Sequence, residues 1–137
     1  MKISNIIYII CISLLGFFSV NAQTNPDFTI TSNDISSEGT ELSIFCTITK
    51  TGNTLIWNQE SNGNSDQTFF NIESVSGSWD IQNNTGDLIY NASVNGYQII
   101  FSLSGDSASG LSASIEMIFP NEENEILNLS VNQLSYL

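Results

Sequence analysis

The feature that most limits the fold of this chain is its punctuation. Short runs rich in Ile, Phe, Thr and Val are interrupted at Glu38-Gly39, Gly52-Asn53, Asn62-Gly63, Ser76-Gly77, Asn84-Thr85-Gly86, Asn95-Gly96, Ser104-Gly105-Asp106 and Pro120-Asn121. Each interruption supplies a residue that accepts a positive φ or fixes a turn. A spacing of about ten residues between turns is that of a β-sandwich or barrel. Within the runs, apolar residues recur at every second position: Phe28 and Ile30; Leu42, Ile44, Cys46 and Ile48; Leu111, Ala113, Ile115, Met117 and Phe119; Leu127, Leu129 and Val131. A period of two turns one face of a strand to a core and the other to water. No stretch of useful length carries helical spacing.

The sharpest local expectation concerns Val94-Asn95-Gly96-Tyr97, because Asn-Gly favours the type I′ turn whose twist matches that of the strands it joins. Pairing Val94 with Tyr97 sets Ala92 opposite Ile99, Tyr90 opposite Phe101 and Leu88 opposite Leu103. That face is wholly apolar, while Ser93, Gln98, Asn91 and Ser102 make the other largely polar. The hairpin therefore lays one side on a core. The expected fold is an all-β antiparallel β-sandwich, immunoglobulin-like or jelly-roll-like, of about seven to nine short strands.

Two local patterns bear on the architecture. Cys46, followed eleven residues later by Trp57, resembles the B and C strands of immunoglobulin-type domains, which implies a cysteine and a tryptophan packed between two sheets. The stretch Ser76-Gly77-Ser78-Trp79 is similar to the Gly-x-Trp of lipocalins, but that motif opens their barrel, and only 58 residues follow Trp79. The second likeness is set aside.

Residues 1–22 begin with Lys2, continue through an apolar run from Ile6 to Val20 and end on Ala22, the layout of a cleaved secretory signal peptide. Removing 22 of the 137 residues leaves 115, enough for one domain over 23–137. The expected location is outside the cytoplasm, at the cell surface, in the envelope or periplasm, or free in the medium. The mature chain sets 14 carboxylates against one cation, Lys50, a formal charge of −13. Such a polyanion repels nucleic acid and acidic lipid alike, so neither is an expected partner, and no membrane insertion is expected after cleavage. With Cys11 in the leader, Cys46 can form no internal bridge and is expected to be buried as a small apolar side chain, the alternatives being an intermolecular bridge or a reactive thiol.

The absent residue types limit the chemistry. The chain has no histidine, and its two cations are both lysines, which removes the usual base of nucleophilic triads and the usual phosphate clamp. Zinc, copper and haem want His or Cys ligands in numbers not present here. Paired carboxylates alone can hydrolyse glycosides, yet Glu41, Asp80 and Glu116 fall on outward phases. Calcium accepts oxygen ligands only, and Glu122, Glu123 and Glu125 are its best candidates, though a solvated acidic loop explains them as well. Among the aromatic residues, Trp79 and Tyr97 are the candidates for stacking on a ligand, and Trp57, beside Leu55 and Ile56, reads as core.

The expected function is therefore an exported, non-catalytic binding or interaction module for a protein or carbohydrate ligand, with no obligatory cofactor. One alternative is a small chaperone or assembly factor. Residues 47–63, with Lys50, Gly52 and Gln59, resemble a group of immunoglobulin-like periplasmic proteins that hold back amyloid-type fibre subunits. The other alternative is a glycoside-acting enzyme that uses carboxylates alone.

Overall fold

The computed structural model describes residues 25–137, so the leader over 1–22, with Lys2 and Cys11, lies outside the described residues. The strands are β1 (Phe28–Ser37), β2 (Thr40–Leu42), β3 (Phe45–Thr51), β4 (Thr54–Ser61), β5 (Asn64–Asp80), β6 (Thr85–Val94), β7 (Tyr97–Asp106), β8 (Gly110–Ile118) and β9 (Glu125–Tyr136). Each pairs antiparallel with its successor, except that β3 passes over the three-residue β2 to pair with β1. The described residues contain no helix.

The sheet closes on itself. Phe28 pairs with Tyr136 and Ser37 with Leu127, so β9 runs along the side of β1 that β2 and β3 leave free. Strands β1 and β3 to β9 thus make an eight-stranded up-and-down barrel, with β2 extending the first hairpin. The all-β antiparallel class and the strand number agree with the sequence, but the sandwich does not. An alternating strand buries one face in either architecture; what decides between them is a pairing between opposite ends of the domain, which no local pattern encodes. The immunoglobulin arrangement is corrected with it. Ile48 faces Trp57 and Cys46 faces Gln59 across the neighbouring strands β3 and β4, where that likeness implied strands in opposed sheets.

The turns do what their residues dictate. Glu38-Gly39, Asn62-Gly63 and Asn95-Gly96 each place two successive residues at positive φ, between 49° and 84°, the type I′ geometry of two-residue hairpins. The hairpin register expected from Asn95-Gly96 holds pair for pair, from Val94 with Tyr97 to Leu88 with Leu103. Extra residues bend the wall at three places: Glu73 in β5, Asn33-Asp34 in β1 and Asn132 in β9. A bulge reverses the in–out phase, so Phe70 and Ile72 point inward above Glu73, and Trp79 points inward below it. The two bulges at the β1–β9 seam are tied by the Asn33 N–H, which donates to Asn132 Oδ1 at 2.7 Å.

Side chains fill the barrel. Phe28, Tyr90 and Phe101 form a tilted aromatic trio with ring centroids 6.0 to 6.3 Å apart, surrounded by Ile30, Leu55, Leu88, Leu103 and Ile115, all essentially inaccessible to solvent. The outer face presents Thr29, Thr31, Thr47, Thr49, Asn91, Ser102, Ser112 and Ser114. Strand direction defines two ends. The turns at 38–39, 62–63 and 95–96 and the loop 119–124 lie at one, called upper here. Residues 25–27, the turn at 52–53, the loops 81–84 and 107–109 and the C-terminus lie at the lower.

Candidate functional site

The lower end is sealed by hydrogen bonding and close packing. Trp79 lies across two glycines, since it pairs with Gly86, which in turn pairs with Gly105. A Cβ on Gly105 would stand 2.1 Å from the Asn84 carbonyl oxygen and 2.7 Å from the Trp79 ring, so only glycine fits beneath the indole. The Trp79 N–H donates to the Tyr136 hydroxyl at 2.7 Å, and that hydroxyl donates to Asn84 Oδ1 at 2.6 Å. Only 4% of Trp79 is exposed, and its indole N–H is committed within the protein. Burial therefore withdraws this candidate from the role of stacking platform, because the ring closes the floor of the barrel and offers no face to a ligand.

The same end takes up Lys50, the only cation among the described residues. Its register opposite Phe28 and Leu55 turns the side chain inward, and the residue is buried. A buried ammonium needs partners. It donates to Asp27 Oδ1 at 2.7 Å and to the Asn25 carbonyl at 3.4 Å, while the Tyr90 hydroxyl donates to Asn25 Oδ1 at 2.7 Å. The hydrogen bond from Lys50, helped by the Gly52 N–H, holds the Asp27 carboxyl below the ordinary aspartate range. Burial raises the Tyr90 phenol above its ordinary value, with a further push from the Asp27 charge. Cys46, free and buried as expected, has its thiol pushed by desolvation to about 11.

The upper end carries a recess. Trp57, Phe70, Val94, Ile99, Met117 and Phe119 line an apolar cup of about 220 Å³, with Tyr97 at its rim. Register explains the gathering. Trp57 is an inward-phase position midway along β4, Val94, Ile99 and Met117 are inward-phase positions in the upper halves of β6, β7 and β8, and Phe119 follows β8 in the same phase just before Pro120. Tyr97, a stacking candidate, is 65% exposed at the rim. Trp57, expected in the core from its apolar neighbours, packs against it and also lines the cup. The indole is half-buried, but its N–H is shielded from solvent and meets no acceptor among the described residues. The signal for the cup was present in the sequence as inward-phase residues abutting turns at Asn95-Gly96 and Pro120.

A groove of about 400 Å³ lies on the outer wall near the same mouth, between Glu73, Asn91, Gln98 and Ile100, and borders Gln98, Ile99 and Ile118 as the cup does. Its one charged wall residue is Glu73, whose Oε1 accepts from the Ser93 hydroxyl. The acidic loop lies beside the cup as well, because the Glu122 N–H reaches back to the Phe119 carbonyl at 3.5 Å. Asn124 knits the loop, accepting from the Phe119 N–H at 3.3 Å and donating to Glu116 Oε1 at 2.9 Å. Glu122, Glu123 and Glu125 do not converge, Glu125 instead accepting from the Ser37 hydroxyl, and no set of three or more metal-ligating side chains comes together among the described residues. Trp79 and this loop occupy opposite ends of the barrel. Comparison with protein-family models, with characterised proteins and with solved structures finds no match for this chain.

Proposed function

We propose that this protein is an exported, non-catalytic binding module of the cell surface or envelope, and that the cup at the upper end of its barrel receives an apolar part of the ligand. The observation that carries the reading is the contrast between the two ends. Trp79, Tyr136, Asn84 and the paired Lys50 close the lower one, whereas the upper ends in an apolar recess with an aromatic residue on its rim. Ligand sites are typically recesses with carbon walls and few polar groups. Sugar recognition needs several hydrogen-bonding groups around each ring, and this cup supplies chiefly carbon, which favours an apolar ligand over a glycan. The non-catalytic part of the reading is supported by the direction of the displaced carboxylates. Asp27 and Asp80 are both held low by hydrogen bonds, from Lys50 and from Asn83 respectively, where a general acid at neutral pH needs the opposite. The outer face mixes Thr, Ser and Asn with exposed Phe69, Ile89 and Ile126 and so lacks the continuous apolar band of barrels that face lipid, which supports a barrel that works in water.

The test is a titration of the mature chain with 1-aminoanthracene, a neutral dye whose emission rises in apolar surroundings. Saturable one-to-one binding is expected, and Val94→Phe, which sets a ring in the cup, should weaken it at least fivefold without loss of the β-type circular dichroism. Absence of saturable binding, or binding indifferent to Val94→Phe, would sink the reading.

A further inference from the structure

The strands reach the upper end unequally. The hairpin of β4 and β5 turns at Asn62-Gly63, whereas the last residue of β5 with a register partner on β6 is Asn71, opposite Ser93. Residues 64–70 of β5 therefore pair with β4 on one side and with no strand among the described residues on the other. The two-residue turn fixes which backbone groups are left over. A type I′ turn is closed by a hydrogen-bonded pair, here Ser61 with Asn64, so Asp66, Thr68 and Phe70 in their turn direct N–H and C=O to β4. The same alternation continues at Ile72, whose N–H donates to the Asn53 carbonyl at 2.8 Å. Ser65, Gln67 and Phe69 then share the phase of Asn71 and turn their N–H and C=O to the open side. All three are exposed, Phe69 by 55%.

A free edge of this length is ordinarily blunted by a proline, a lysine or a bulge. Residues 64–70 contain none of these. Asp66, the one charge in the stretch, opposes an acidic strand and leaves a neutral or basic one free to pair. The edge also borders the cup, since Thr68 and Phe70 on the open stretch and Val94 and Tyr97 beside the turn below it all line the recess. A strand laid along the edge runs where β6 would continue, and its residues opposite Thr68 and Phe70 share their inward direction. We infer that this edge and the cup together bind an extended, neutral or basic segment of another protein, which adds a strand to β5 through Ser65, Gln67 and Phe69 and lodges an apolar side chain in the cup. A cavity of about 150 Å³ takes benzene, so 220 Å³ suits one side chain of the size of leucine or phenylalanine. A second copy of this chain is the poorer occupant, because it brings Asp66 and the same excess of carboxylates to the contact. This inference rests on the binding reading above and names the partner class for the same site.

The experiment selects phage-displayed random nine-residue peptides on residues 23–137 and measures the enriched sequences as synthetic peptides by calorimetry. The expected peptides carry apolar residues at alternate positions without an excess of acid, and they displace 1-aminoanthracene. Methylating the backbone nitrogens of such a peptide at every second residue separates its two phases. In the phase bonded to β5 it should weaken binding about tenfold or more, and in the other phase by less than about twofold. Gln67→Pro removes an outward N–H and sets a ring on the edge without touching a pair bonded to β4. It should weaken the peptide about tenfold with the β-type circular dichroism retained, and should the variant lose its fold, the contrast between the two methylated phases decides alone. No enrichment, equal effects of methylation in both phases, or binding that a folded Gln67→Pro leaves unchanged would overturn the inference, while saturable dye binding keeps the binding reading intact. If the dye itself does not bind, the binding reading fails first. Dimerisation of the chain in sedimentation equilibrium that Gln67→Pro abolishes would seat a second copy on the edge and likewise overturn the inference.

Discussion

Two residues show how much the sequence gives at the scale of a side chain and where it stops. Cys46 is buried, as its inward phase requires. Lys50 could not be read in the same way. Its phase places it inside, its charge argues that it should be outside, and the outcome depends on residues 25–27 folding under the barrel to meet it. Taking one partner from a buried pair costs more than removing its need for a partner. Asp27→Asn should therefore destabilise the protein by about 1–3 kcal/mol, discounted for the partial exposure of the carboxylate, and Lys50→Met should cost clearly less. Urea unfolding of the two variants measures this difference. Because the folded-state pKa of Asp27 is depressed, its contribution is complete above the unfolded aspartate value and is lost as pH falls through the lower folded value. The gap between wild type and Asp27→Asn should accordingly narrow in acid below about pH 4.

At the scale of elements, strands and hairpins were legible because their causes are local. Asn95-Gly96 set a register that holds over the whole of β6 and β7, since a two-residue turn leaves no freedom in the count. The bulges were not legible. Glu73 has no residue type that announces an insertion, yet it reverses the phase of β5 and sends Trp79 into the floor of the barrel. Without that reversal, Trp79 between Ser78 and Asp80 reads in sequence as either core or surface. The floor also makes Gly105 irreplaceable. Gly105→Ala should cost about 3 kcal/mol by forcing a methyl group against the Asn84 carbonyl and the Trp79 ring. Gly63→Ala, in a turn where an added Cβ meets nothing, should cost only about 1 kcal/mol of left-handed backbone strain. Equal losses for the two in chemical denaturation would mean that Trp79 does not rest on the glycines.

At the scale of the whole molecule, the choice between a sandwich and a barrel turns on β1 meeting β9, and the candidate site follows from that closure. With the lower end stoppered, the apolar recess lies at the upper one, walled by inward-phase residues of β4 to β8. The turn at Asn95-Gly96 fixes Tyr97 at a hairpin tip, so its position is legible from the register. The place of Trp57 is not, because the cup exists only once β4 and β8 are brought onto one mouth. The two tryptophans now mark opposite ends of the same barrel. The most direct test of the account is therefore a ¹⁵N–¹H correlation spectrum of residues 23–137, which hold both tryptophans, followed during titration with 1-aminoanthracene. The Trp57 signal, assigned by Trp57→Phe, should shift progressively to saturation, while that of Trp79, already donating to Tyr136, stays in place. Movement of Trp79 alone, or of neither signal at saturating ligand, would contradict a binding mouth at the upper end.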